Sequence, residues 1–198
     1  VEHKWKKKFI AESYNFKNDI KFDFIISCLK DDNAVNTFFN KFVKTSNFHK
    51  NSIIIDHSTI SLRQIDILSR LFKQRKVKFL DAPITGGEEG AKKGSLSVMV
   101  GGTELNFNKS KSIISSYSKS ITHMGKLGSG QLTKFTNQIL ICGILYSISE
   151  AYLFSKKNNL DQKKIFNAIK NGAANSWQFT NRYPTLTKNK SVSYTHLT

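Results

Sequence analysis

The chain has 198 residues, 39% of them hydrophobic, with 15 Phe. That is enough for one domain or one and a half, and for a buried core. It carries 31 Lys and Arg against 14 Asp and Glu, a formal net charge of +17. No uninterrupted apolar run reaches the roughly 18 residues of a membrane span, which excludes a spanning helix at this level. The start, Val1-Glu-His-Lys-Trp-Lys-Lys-Lys8, is basic but lacks the apolar stretch of a secretory signal. It also lacks an initiator Met, so an internal piece of a longer chain is expected.

The charge suggests a nucleic-acid surface or a lysine-rich composition. Arginine occurs only at Arg63, Arg70, Arg75 and Arg182, with no stripe of Arg among aromatics. Base recognition favours arginine forks. The lysines are spread over the whole chain among Asn and Ile, so composition is the preferred reading and no specific nucleic acid is expected. Cys28 and Cys142 sit in apolar runs without metal or redox spacing. They are read as buried thiols of a reducing, cytoplasmic compartment.

Along the chain, Phe22 to Leu29 is apolar and rich in β-formers and predicts a buried strand. Asp31 and Asp32 can cap a helix carrying Val35, Phe38, Phe39 and Phe42 on one stripe. Ser52 to Asp56 is the next strand. Ser61 with Gln64 reads as a capping box for a helix carrying Ile65, Leu68 and Leu71. Val77 to Leu80 is a third strand ending at Asp81, and Ser95 to Val100 a fourth. Gly101 and Gly102 turn the chain, Thr103 caps a helix to about Ser118, and Ser120 to Met124 is a last strand. Alternating strands and helices predict an α/β fold with a parallel sheet. After Gly130 the pattern becomes helical, one long helix to about Ser155 and another from about Asp161 to Lys170. The boundary is placed at residue 127, with 128–198 as a helical domain and a tail from about 186.

Two segments carry chemistry. Asp81-Ala-Pro-Ile-Thr-Gly-Gly87 leaves a strand end, where open α/β sheets bind ligands. Gly86 and Gly87 can take φ > 0 and expose amides as an anion nest, with the Thr85 hydroxyl beside them; an ordinary tight turn is the alternative. A phosphate loop over Gly87–Ser95 is rejected, because no Gly-Lys-Ser/Thr triplet occurs and a strand follows. In the long helix, Lys134, Asn137, Gln138, Ile141 and Leu145 share a face. A lysine in that apolar setting has its pKa lowered by desolvation and can exchange a proton with an alcohol. The alternative is a snorkelling lysine at a polar patch. Asp56-His-Ser-Thr59 also leaves a strand end, where its hydroxyls could touch a cofactor or cap the next helix. His57 and His123 are read as structural, and no metal set is expected.

These segments, with Gly90-Ala-Lys-Lys-Gly-Ser-Leu-Ser-Val-Met-Val-Gly-Gly102, Gly125-Lys-Leu-Gly-Ser-Gly-Gln-Leu-Thr-Lys134 and Ser176-Trp-Gln-Phe-Thr-Asn-Arg182, resemble the 3-hydroxyisobutyrate dehydrogenase family of β-hydroxyacid dehydrogenases. The resemblance runs from about Asp23 to Pro184. It implies a Rossmann-type cofactor domain, incomplete here, followed by an all-helical domain, truncated here. It implies hydride transfer between a small hydroxy acid or semialdehyde and NAD or NADP. Lys134 falls on the family's catalytic lysine. Thr85, Gly86 and Gly87 fall on the carboxylate loop, with Thr85 where serine is usual. Asn137 and Gln138 fall on a substrate-binding amide pair that is often two asparagines. Thr59 falls on a cofactor contact, and Leu29 and Asn33 near the loop bordering the cofactor. The family's opening GxGxxG turn has no counterpart before Asp23, and Ser191–Thr198 reads as unrelated tail. The chain is therefore expected to be an internal fragment, inactive alone, of an enzyme that is homo-oligomeric at full length and needs no membrane. A non-catalytic, nucleic-acid-binding protein on the same scaffold is the competing expectation, motivated by the charge.

Overall fold

A computed structural model describes residues 21–45 and 47–188. The chain divides into two compact units, with the division between Gln131 and Leu132.

The first unit begins with β1 (Phe22–Ser27), α1 (Asp32–Phe42), β2 (Phe48–Asp56), α2 (Leu62–Gln74) and β3 (Lys78–Asp81). It continues through β4 (Ile84–Thr85), α3 (Gly87–Lys92), β5 (Leu96–Gly101), α4 (Glu104–Ser115) and β6 (Ser118–Gly125). The predicted N-caps form, with Asp31 accepting from the Ala34 amide, Ser61 from Gln64 and Thr103 from Asn106. Each satisfies an amide that the first helical turn leaves without an internal partner. The Ser61–Gln64 capping box does not close, because the Ser61 amide donates to Asp32 instead.

β1, β2 and β3 are parallel, and so are β5 and β6. The join between these groups is antiparallel: Asp81 pairs with Gly101, and Ile84 and Thr85 pair with Val98 and Ser97. The sheet is therefore mixed rather than wholly parallel. After Pro83 the chain turns through α3 and returns along its own line, which needs no crossover helix and reverses the strand direction. β2 feeds both faces of the sheet. Ile54 joins Val35, Phe39, Leu68 and Phe72 on the α1/α2 side. Ile53 and Ile55 join Leu80, Val98, Val100, Phe107 and Ile114 on the α4 side. The two-residue strand period makes this division. Edge-to-face ring pairs, Phe39–Phe72 and Phe72–Phe79, each 5.0 Å between centroids, tie α1 to α2 and α2 to β3. Burying each such ring contributes about 1.5–3 kcal/mol.

Two sequence expectations fail here. β1 is only half-buried, with Ile26 44% exposed, because it is the edge strand of the sheet among the described residues. Cys28 and Cys142 are exposed rather than buried. Cys28 lies just past the end of β1, and Cys142 projects from the open side of a helix.

That helix is α5 (Ser129–Lys157), which starts in the first unit and continues in the second, followed by α6 (Gln162–Ile169) and α7 (Trp177–Thr187). In the second unit Ile148, Phe179 and Tyr183 pack with Tyr152, Phe166 and Leu186. The Tyr183 hydroxyl donates to Gln162 Oε1 at 2.7 Å. α7 was not anticipated from sequence, and it contains Pro184, which supplies no backbone donor. Ser176 caps it, and it runs through Pro184 to Thr187. α5 also corrects the exclusion of a spanning helix. By length and composition alone it could cross a membrane, with a window of mean hydropathy 1.3. Isolated Thr, Asn, Gln and Ser interrupt the apolar run without lowering the average far.

Candidate active site

The carboxyl ends of β1, β2 and β3 lie in register as Ser27, Asp56 and Asp81. Asp56 and Asp81 are both fully buried. Asp56 Oδ1 accepts from the Ser27 hydroxyl at 2.8 Å, the Ser58 hydroxyl at 2.6 Å and the Ser58 amide at 3.2 Å. Its Oδ2 has no hydrogen-bond partner among the described residues. Burial raises the pKa of this carboxyl, against the pull of the Ser58 and Ser27 hydrogen bonds. Ser58 Oγ in turn accepts from the Leu29 amide at 2.8 Å. This network pins the loop between β2 and α2 to the end of β1. It also fixes Asp56 and Ser58 inward, so Thr59, one residue further, is exposed. Asp32 accepts from the Ser61 amide at 2.9 Å, which holds the first turn of α1, with exposed Asn33, beside the same loop. The three sequence-predicted cofactor residues thus border one stapled strand-end loop.

His57 packs inward. Its Nδ1–H donates to the Ala82 carbonyl at 2.6 Å, and its Nε2 stands 2.9 Å from the Tyr117 hydroxyl. Burial lowers its pKa, which favours the neutral ring accepting from Tyr117. His123 bonds to the Gly102 carbonyl at 2.9 Å and stacks on Phe107. Both are structural in this geometry.

Gly86 and Gly87 take φ of +129° and +64°. Both are exposed and Thr85 is half-buried. A side chain would be strained at either glycine, so the backbone conformation itself requires glycine there.

Sequence reasoning did not assign a role to Asp81, although it opens the glycine motif. Asp81 Oδ1 accepts from the Gly128 amide at 2.7 Å and Oδ2 from the Gln131 amide at 2.9 Å. It therefore caps the start of α5. Burial outweighs these donors and pushes its pKa up to about 6. Gln131, also fully buried, donates from Nε2 to the Ser58 carbonyl at 2.7 Å, and its Oε1 accepts from the Ile60 amide at 3.3 Å. One helical turn is thus bolted both to the glycine-motif strand and to the Ser58–Thr59 loop. The signal in the sequence was a carboxylate at a strand end paired with a Gly-Ser-Gly-Gln helix start; the distance between them along the chain hid it.

In the second unit, Lys134 and Asn137 are half-buried and Gln138 exposed on α5. Asn137 Nδ2 donates to Gln138 Oε1 at 3.0 Å. The stripe continues through half-buried Ile141 and Leu145 to buried Ile148, so Lys134 stands on the less exposed face of the helix. Burial lowers its pKa.

A family model described as the NAD binding domain of 6-phosphogluconate dehydrogenase matches residues 3–125. A second, described as NAD-binding of NADP-dependent 3-hydroxyisobutyrate dehydrogenase, matches residues 128–195. The chain belongs to the 3-hydroxyisobutyrate dehydrogenase family. Both matches extend beyond the motif span of about 23–184 that the sequence alone suggested. Among relatives of this family, the mitochondrial 3-hydroxyisobutyrate dehydrogenase of Drosophila melanogaster is 31% identical over 78% of this chain and 48% of its own length. The 2-hydroxy-3-oxopropionate reductase of Escherichia coli is 38% identical over 64% of this chain and 44% of its own. The structure of Mycobacterium tuberculosis 3-hydroxyisobutyrate dehydrogenase with L-serine superposes with a TM-score of 0.74. It is 26% identical, covering 84% of this chain and 56% of that one. The chain spans about half the length of the curated relatives it matches.

Proposed function

We propose that this chain is the cofactor- and proton-handling part of an NAD(P)-dependent oxidoreductase of small β-hydroxy acids, with Lys134 as its acid/base residue. Family membership supports the reaction class. The observation that carries the proposal is Lys134 itself, half-buried on the less exposed face of α5 with its pKa lowered by burial. An ammonium that is easier to deprotonate can take the proton from a substrate hydroxyl in oxidation and return it in reduction.

The residues present fit the nicotinamide end of NAD or NADP. Thr59 offers an exposed hydroxyl at the carboxyl end of β2, and Leu29 and Asn33 flank its loop. The Asp56 carboxylate is turned inward to Ser27 and Ser58, so the loop offers neutral donors. Bound there, the cofactor supplies hydride chemistry. By the family resemblance, Thr85 and the amides of Gly86 and Gly87 in the first unit are carboxylate-binding groups, and Asn137 and Gln138 in the second are hydroxyl-orienting amides. The Asp81 cap holds the first turn of α5 within the first unit.

The test is Lys134→Ala in a chain completed to the length of its relatives, assayed with 3-hydroxyisobutyrate and with 2-hydroxy-3-oxopropionate. Turnover is expected to fall about 10²–10⁴-fold with cofactor affinity retained. Undiminished turnover in the variant would remove Lys134 from the reaction. Absence of turnover in the parent with both substrates and both cofactors would remove the substrate class.

A further inference from the structure

The first unit carries a concave groove of about 930 Å³ at the end of the sheet where β2 and β3 begin. Beneath it lie the almost fully buried Phe72, Val77 and Phe79, with half-buried Leu127 beside them. Five lysines, Lys50, Lys73, Lys76, Lys78 and Lys126, line it, and no acidic residue does. Lys78 opens β3 and Asp81 closes it, so Lys78 lies about 10 Å along the strand from Asp81.

We infer that this groove is a second binding site, for a small molecule that carries several phosphates. Among the described residues, none of the five lysines forms an ion pair. Elsewhere, Lys92 and Lys93 are paired with Glu88 and Glu89. The dipole of α2 accounts for Lys73 in its last turn. It does not account for Lys50, Lys78 and Lys126, which arrive from three other segments. Like charges gathered around one concavity repel, and an anion placed among them relieves that repulsion. Lysine binds phosphate as a mobile point charge, which suits a chain of phosphates. The volume suits a ligand of nucleotide size. No arginine lines the groove to read base edges, which favours a small molecule over a nucleic acid.

The test is calorimetric titration of the 198-residue chain with ATP, without divalent metal, and with inorganic tripolyphosphate, at about 0.15 M salt. One-to-one binding is expected with both probes. Lys50→Glu, Lys76→Glu and Lys126→Glu combined should weaken both by about tenfold or more. Lys41→Glu, Lys109→Glu and Lys157→Glu combined make the same change in net charge at exposed positions away from the groove. That control should shift affinity by less than about threefold. Circular dichroism checks that both variants fold. Equal weakening in the two variants would show a response to net charge alone and overturn the site. So would failure to bind either probe, or ATP binding that survives the groove variant. Binding of a DNA oligonucleotide that tripolyphosphate cannot displace would overturn it in favour of a nucleic-acid surface.

Discussion

At the scale of single residues, Asp81 has the most to do. A fully buried carboxylate is unfavourable unless it is well paired, and here the paired groups are amides at the start of α5. Because burial sets its folded pKa near 6, above the ordinary carboxyl value, the folded chain holds this proton more tightly than the unfolded chain does. The resulting stability is full below about pH 4 and is lost as pH rises through about 6. Its size is about 2–3 kcal/mol for a shift of this order. Asparagine cannot titrate, so Asp81→Asn should cost more at pH 4 than at pH 7.5, by about 2–3 kcal/mol. Urea unfolding of both proteins at the two pH values measures this. A gap that stays constant with pH would mean that Asp81 titrates as an ordinary carboxyl.

At the scale of elements, α5 shows two glycines with opposite requirements. A Cβ at Gly130 would run into the Met99 carbonyl, the Asp81 carbonyl at 2.7 Å and Asp81 Oδ2 at 2.8 Å. These are groups that cannot swing aside, so the first turn could no longer seat against β3 and β5. Gly130→Ala should destabilise by about 1–3 kcal/mol and lower the thermal midpoint. Gly143 lies further along the same helix, with nothing within 4 Å of a Cβ built there. Gly143→Ala should stabilise by about 0.5–1 kcal/mol, since alanine has less backbone freedom to lose in a helix. Paired thermal melts distinguish the two, and equal effects would argue against close seating of the first turn. α5 also shows how far periodicity reaches. The stripe of Lys134, Asn137, Gln138, Ile141 and Leu145 was read at helical spacing, because local geometry alone sets which residues share a face, and of these Gln138 is the exposed one. α7 was not, because packing of Phe179 and Tyr183 and the Ser176 cap outweigh the amide lost at Pro184.

For the whole molecule, the charge of +17 on 198 residues matters to stability. Among the described residues, the Lys92–Glu88 and Lys93–Glu89 pairs lie at the surface. Self-repulsion from the net charge opposes the compact state and is screened by salt. Raising NaCl from about 0.05 to 0.5 M should therefore raise the thermal midpoint by a few degrees. A midpoint that falls with salt would mean that attractive pairs, rather than repulsion, dominate the surface.

The sequence by itself determined the strand and helix order of the first unit apart from β4 and α3, with its N-caps and the glycine loop, because those depend on residues close together in the chain. Asp31, Ser61 and Thr103 cap from three residues away, and the φ values of Gly86 and Gly87 follow from their lacking a side chain. The tertiary structure alone decided which polar groups meet. Asp56 with Ser27, Gln131 with Ser58, and Asp81 with Gly128 are separated by 29, 73 and 47 residues. Strand register brings the first pair together, and the docking of a helix start onto the sheet brings the other two. The antiparallel return of β5 and the lysine groove arise in the same way, since a spread of lysines in sequence becomes a cluster only when four segments converge.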